Sequence, residues 1–181
     1  MSRGKDIDKK LAGHDTGWLP RDGKFAYDRN VEAKFLLDGT VDRLCRWLRL
    51  LGFDAELSRA ADDVAFLVDA CNKGRIALTR KQSRVKNARE AVFIESGNIR
   101  QQLKQVLDRF GKPDSPLSRC SLCNTALVKR EKIEIEGLVP EYPYKKCNEF
   151  YSCPNCKKFY WRGTHPEKMK AFIEDALSAS G

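Results

Sequence analysis

From residue 34 the chain falls into a rhythm: short apolar runs, each followed by a longer stretch in which apolar positions recur every three or four residues. Lys34-Phe-Leu-Leu-Asp38 precedes such a stretch at 40–51, and Phe53–Leu57 precedes another at 62–73. Arg75-Ile-Ala-Leu-Thr79 leads into a basic stretch ending at Arg89. Ala91-Val-Phe-Ile-Glu95 then leads into an amphipathic stretch from Asn98 to Phe110, closed by Gly111. The short runs predict buried strands and the longer periodic stretches predict helices, with glycine as a stop signal. Parallel neighbours need crossover connections, so strands alternating with helices predict an α/β fold: a parallel sheet covered on both faces.

The flanks read differently. Residues 1–33 are polar, with Trp18, Phe25 and Tyr27 set in no sustained period, and are expected to form a flexible polar arm. Gly111-Lys-Pro-Asp-Ser-Pro116 is rich in breakers and reads as a hinge after a first domain at 34–112. A second module is expected at 117–165, containing the alternating strand Lys132-Ile-Glu-Ile-Glu136 and a Gly/Pro-rich connection. The rest, 166–181, predicts a helix from Pro166 to Leu177 and a tail, with the proline in the first turn.

Cysteine spacing supplies the first chemistry. There are seven cysteines, an odd number that argues against a closed disulfide framework, and four of them form two pairs, Cys120-Ser-Leu-Cys123 and Cys153-Pro-Asn-Cys156. Each C-x-x-C turn presents two thiolates to one ion, so two such turns close a tetrahedral zinc shell in a ribbon-like module. With four sulfur ligands no position is left for a catalytic water, and the expected role of the zinc is structural. Cys147 lacks a paired partner, His165 has no vacancy to fill, and Cys45 and Cys71 sit on apolar helical patterns as core residues. Thiolate ligation suits the cytoplasm or another reducing compartment. No run of eighteen apolar residues occurs, and the first ten residues are broken up by Arg3, Lys5, Asp6, Asp8, Lys9 and Lys10. Neither membrane insertion nor secretion is expected.

The formal charge is +9, and residues 34–112 carry sixteen of the basic and ten of the acidic side chains, so two-thirds of the excess lies there. Arg43, Arg46 and Arg49 run along one helix at three-residue spacing, beside the apolar face of Val41, Leu44, Cys45, Leu48 and Leu51. Arg75, Arg80, Lys81, Arg84, Lys86 and Arg89 form a second series. Such stripes either grip the phosphates of a polyanion such as RNA or form a solvated helical face. Trp161 and Arg162 fit either a clamp on RNA or packing between modules.

Asp38 ends the first strand and Asp62-Asp63 opens the second helix. In open α/β sheets the ligand crevice lies beyond the carboxyl ends of the strands. Acids there can share Mg²⁺ or Mn²⁺, or can cap helices, a role that suits Asp62 better than Asp38. These residues carry a resemblance. Lys34-Phe-Leu-Leu-Asp-Gly39, Leu44-Cys-Arg-Trp-Leu-Arg-Leu-Leu-Gly-Phe-Asp54, Asp62-Asp63, Ile76-Ala-Leu-Thr-Arg80, the two cysteine pairs and Tyr160-Trp-Arg-Gly-Thr-His165 resemble the Mut-seven C-terminal RNase domain family over roughly 34–170. The resemblance implies a PIN-like nuclease fold followed by a zinc ribbon. It implies a Mg²⁺- or Mn²⁺-dependent ribonuclease with Asp38, Asp62 and Asp63 as catalytic acids; with RNA as the partner, the basic stripes read as its grip, through Arg43, Arg46, Arg49, Arg80, Lys81 and Arg84. The chain departs from the family at Lys81, which stands where an acid is expected. That exchange removes a metal donor and adds a repelling charge, and it leaves a second reading: a catalytically weakened RNA-binding or ribonucleoprotein subunit.

Overall fold

The computed structural model describes residues 33–86, 88, 91–113, 115–162, 171–172 and 174–175. Strand β1 (Lys34–Leu37) is followed by a 3₁₀ turn (Gly39–Val41) and helix α1 (Asp42–Leu51). Then come β2 (Asp54–Leu57), α2 (Asp63–Asn72), β3 (Ile76–Thr79), the short α3 (Gln82–Val85), β4 (Ala91–Phe93) and α4 (Ile99–Phe110). The strands form one sheet in the order β2-β1-β3-β4, and every neighbouring pair is parallel.

Strand alternation sorts the core into two layers. Phe35, Leu37, Leu78 and Val92 face α1 and α4, meeting Leu44, Leu48, Leu103, Val106 and Phe110. Leu36, Ala77 and Ala91 face the other way, onto Phe66, Leu67 and Ala70 of α2. Phe35 is wholly buried and meets Phe53 and Phe110 edge-on at 5.3 and 5.1 Å. Chain order reverses at β1: α1 leads outward to β2, and α2 returns on the opposite face to β3. The crevice between the carboxyl ends of β1 and β3 is therefore the switch point of the sheet.

The second module is a three-stranded antiparallel sheet of β5 (Val128–Arg130), β6 (Glu149–Ser152) and β7 (Phe159–Arg162), in that order. Between β5 and β6 lie a 3₁₀ turn (Lys132–Ile135) and α5 (Glu141–Lys146). Lys132–Glu136, expected as a strand, is this turn. Glu131 and Glu134 each accept from the other's backbone N–H, a capping box that winds the chain, and only Ile135 is buried while Ile133 is exposed. Ile135, Cys147 and Phe150 form its small core, with half-buried Trp161 packed against them inside the module.

The breaker-rich segment after α4 lies against α1. The amide of Leu117 donates to the carbonyl of Leu50 at 2.9 Å. Gly52 ends α1 at φ +105°, and a Cβ there would lie 2.3 Å from the Ser115 carbonyl oxygen, so the close crossing requires glycine. Cys45 is core as expected, its thiol pushed up to about 11 by burial, whereas Cys71 is only half-buried. Of the expected arm at 1–33 only Ala33 is described, and it is buried in the sheet core; residues 1–32, His165 and most of the expected helix at Pro166–Leu177 lie outside the described residues. Within that helix the described 171–172 and 174–175 are helical, and Phe172 stacks on Trp47 at 4.4 Å.

Candidate functional site

The carboxyl ends of β1 and β3 bring together residues far apart in sequence. Asp38 directly follows β1 and is 4% exposed. Its Oδ1 accepts the amide of Thr40 at 2.8 Å and the Thr40 hydroxyl; its Oδ2 accepts the Thr79 hydroxyl at 2.5 Å and Nη1 of Arg84 at 2.8 Å. Two oxygens offer about four acceptor positions. All four are taken.

Arg84 is placed by α3, which begins one residue after Lys81. The Lys81 amide donates to the Thr79 hydroxyl at 3.0 Å, and the Arg84 amide donates to the Lys81 carbonyl at 3.1 Å. The guanidinium turns inward, is 4% exposed as a residue, and lies over the Phe66 ring at 4.5 Å. Its Nε donates to Oδ1 of Asp63 at 2.6 Å, so one arginine bridges the Asp38 and Asp63 carboxylates. Ser83 donates to the other Asp63 oxygen at 2.8 Å. The bond from Arg84, then that from Ser83, hold the Asp63 carboxyl below the ordinary carboxylate range. Asp62 stands apart as the N-cap of α2, its Oδ1 accepting the Ala65 amide at 2.8 Å. The sheet thus brings two of the three expected acids together.

The basic residues divide. Arg43, Arg46, Arg80 and Lys81 are exposed, with the Arg80 amide held by the Thr40 hydroxyl at 3.1 Å. Arg84 and Arg49, expected among the RNA-facing cations, are buried. Arg49 donates from Nε to the Ala55 carbonyl at 2.7 Å and from Nη1 to the carbonyls of Ser121 and Leu122 at 3.2 and 2.7 Å. Arg75, from the second expected stripe, bridges Asp54 and Glu56 at 2.6 and 2.7 Å at the amino edge of the sheet. Helical spacing put Arg49 in line with Arg43 and Arg46 on α1, and tertiary packing then covered Arg49 alone.

The cysteine module docks at that amino edge. Asn124 donates to Asp54 at 2.7 Å and accepts the Ala55 amide at 3.2 Å, and Arg119 lies 3.6 Å from Asp54. Asp54 pairs in register with Lys34, whereas Asp38 lies four residues further along, roughly 13 Å at about 3.3 Å per residue. The two cysteine turns repeat one geometry. The Cys120 amide meets the Thr125 carbonyl at 2.9 Å as Cys153 meets Lys158 at 2.9 Å, and left-handed Asn124 and Lys157 follow the second cysteines. The sulfurs of Cys120, Cys123, Cys153 and Cys156 all lie within 4.8 Å of one another, with Cys120–Cys156 and Cys123–Cys153 at 3.4 Å. A tetrahedron with metal–sulfur bonds of about 2.3 Å has edges of about 3.8 Å, so the set fits zinc. The Thr125 hydroxyl draws Cys123 down to about 5. For Cys156 the Lys158 amide favours the thiolate, but the crowded sulfurs outweigh it and push the thiol up to about 12. A dication relieves that crowding. Cys147 is buried in the module core, away from the four.

The acidic pair fails the same fit for a divalent ion. Every acceptor position of Asp38 is engaged, and a guanidinium lies between the two carboxylates. Among the described residues no helix is long and apolar enough to cross a membrane. Residues 33–173 match the family model described as Mut7-C RNAse domain. No curated protein and no solved structure matches the chain.

Proposed function

The chain belongs to the Mut7-C RNAse domain family, and on that premise we propose that it is a ribonuclease acting on RNA at the carboxyl edge of the parallel sheet. The observation that carries this reading is the convergence of Asp38 and Asp63 at the switch point, beside exposed Arg80 and Lys81. In this proposal the fold is a PIN-like sheet and the cysteine module is a zinc ribbon. Arg43, Arg46, Arg80 and Lys81 hold the phosphodiester backbone by displacing its counterions. Asp63, the more open of the two carboxylates at 39% side-chain exposure, orients the attacking oxygen, and Asp38 anchors the floor. Asp62 keeps its cap and takes no part. Zinc would be held by Cys120, Cys123, Cys153 and Cys156 and would supply folding energy. Its distance along the sheet from Asp38 supports a structural role. The four thiolates require a reducing compartment. Divalent-ion dependence belongs to the family resemblance; the engaged acids do not fit it, and no step is routed through such an ion.

The test is cleavage of single-stranded and structured RNAs by the purified chain and by Asp63→Asn, which spares the buried Asp38. Loss of roughly 10²-fold, the scale of losing one positioning group, is expected. Equal cleavage by both would remove Asp63 from the mechanism. RNA that is bound in a salt-dependent manner and never cut would make the chain a binding subunit instead.

A further inference from the structure

We propose that Arg84 is the resident cation of this site: its guanidinium takes the place between Asp38 and Asp63 that a divalent ion would need. The native site therefore excludes Mg²⁺ and Mn²⁺, and removing the guanidinium converts the pair into an ion site. The inference shares its location with the proposed cleavage site, but it rests on the bonding of the acids and is read through ion binding.

Three observations carry it. Asp38 is saturated by Thr40, Thr79 and Arg84, so an incoming ion must break an existing bond. The guanidinium neutralises both carboxylates at once through Nη1 and Nε, at 2.8 and 2.6 Å. It is also fixed from behind by the Phe66 ring and from below by the Thr79–Lys81 bond that starts its helix. With Lys81 beside Asp63, two carboxylates face two cations, and a dication entering that neutralised set finds no net attraction. Lys81, singled out in the sequence, is thus the outer half of the charge reversal. The inner half, Arg84, looked like one more member of a basic stripe.

The measurement is a Mn²⁺ titration of the zinc-loaded chain, followed by the paramagnetic resonance of free Mn²⁺. It compares the native chain with Arg84→Met and with Arg84→Met combined with Asp38→Asn. Methionine keeps an apolar stem over Phe66 while removing the charge. Arg84→Met is expected to bind one Mn²⁺ about tenfold or more tightly than the native chain, because an attractive pair of carboxylates replaces a neutralised one. The double variant is expected to lose that gain. A native chain that binds one Mn²⁺ in a manner abolished by Asp63→Asn would overturn the inference, as would a folded Arg84→Met that binds no better than native. Should Arg84→Met fail to fold, the native chain and Asp63→Asn decide alone: equal, weak binding supports the exclusion, and a loss refutes it. Failure to cut RNA leaves this result untouched.

Discussion

Replacing Arg49 by methionine separates the two roles open to that side chain, a phosphate contact on a basic stripe or a brace between the sheet and the cysteine module. Methionine keeps most of the aliphatic stem and deletes three donated bonds, to the carbonyls of Ala55, Ser121 and Leu122. A bond from a charged donor contributes about 1.5–3 kcal/mol. The three share one guanidinium, however, and Leu122 is 51% exposed, so water can replace part of what is lost. The expected net cost is about 3 kcal/mol, a large share of an ordinary total of about 5–15. For a chain of 181 residues this corresponds to a fall in Tm of about 6–12 °C. Thermal unfolding by circular dichroism, with zinc release read by a chromogenic chelator, measures the brace. RNA affinity at two salt concentrations measures the alternative. The expected outcome is a lower Tm, faster metal release and an unchanged salt dependence. A Tm within about 2 °C of native, with a salt slope reduced by about one, would make Arg49 a phosphate contact and the brace an error.

Two further predictions concern the same end of the molecule. Burial acts to raise the Asp54 carboxyl, but bonds from Arg75 and Asn124 and the charges of Arg75 and Arg119 outweigh it and hold it below the ordinary range. A depressed native value stabilises the fold above the unfolded pKa of about 3.8, and that contribution is lost as pH falls through the lowered native value. Urea midpoints measured between about pH 5 and pH 2.5 should therefore converge for the native chain and Asp54→Asn, and a constant difference would contradict this sign. Protein purified without added metal should carry one zinc, and chelation should disrupt β5–β7; acidification should release the ion, because the four thiolates must stay deprotonated. Less than about half an equivalent, with the module intact after chelation, would remove the structural role.

Much of this architecture was legible in the residues. The alternation of apolar runs with helical periodicity gave the parallel sheet, because buried parallel strands must be apolar throughout and must be joined by crossovers. The strand expected at Lys132–Glu136 failed because two isoleucines in alternation also suit a turn with one inward side chain, and the reciprocal glutamate caps decided for the turn. The Pro/Gly-rich connection hid α5, whose Pro143 is buried. For the acids, sequence could mark Asp38, Asp62 and Asp63 but not rank them. Ranking needed the partners: an amide of α2 for Asp62, and an arginine for the other two.

What the sequence determined by itself were the features set by local spacing. The cysteine pairs are one example, since a C-x-x-C turn aims two sulfurs at one point wherever it sits, and the phase of each strand and helix is another. What only the tertiary structure decided was the fate of the charges. Arg43, Arg46 and Arg49 share one helix and one spacing, yet only Arg49 is covered, because the first cysteine turn docks where α1 ends. Arg84 turns inward because β1 and β3, joined through two crossovers, leave Asp38 and Asp63 on either side of it. A charge is settled by whatever opposes it across the fold, and that partner lies 21 residues away for Asp63 and 46 for Asp38, beyond the reach of any local pattern.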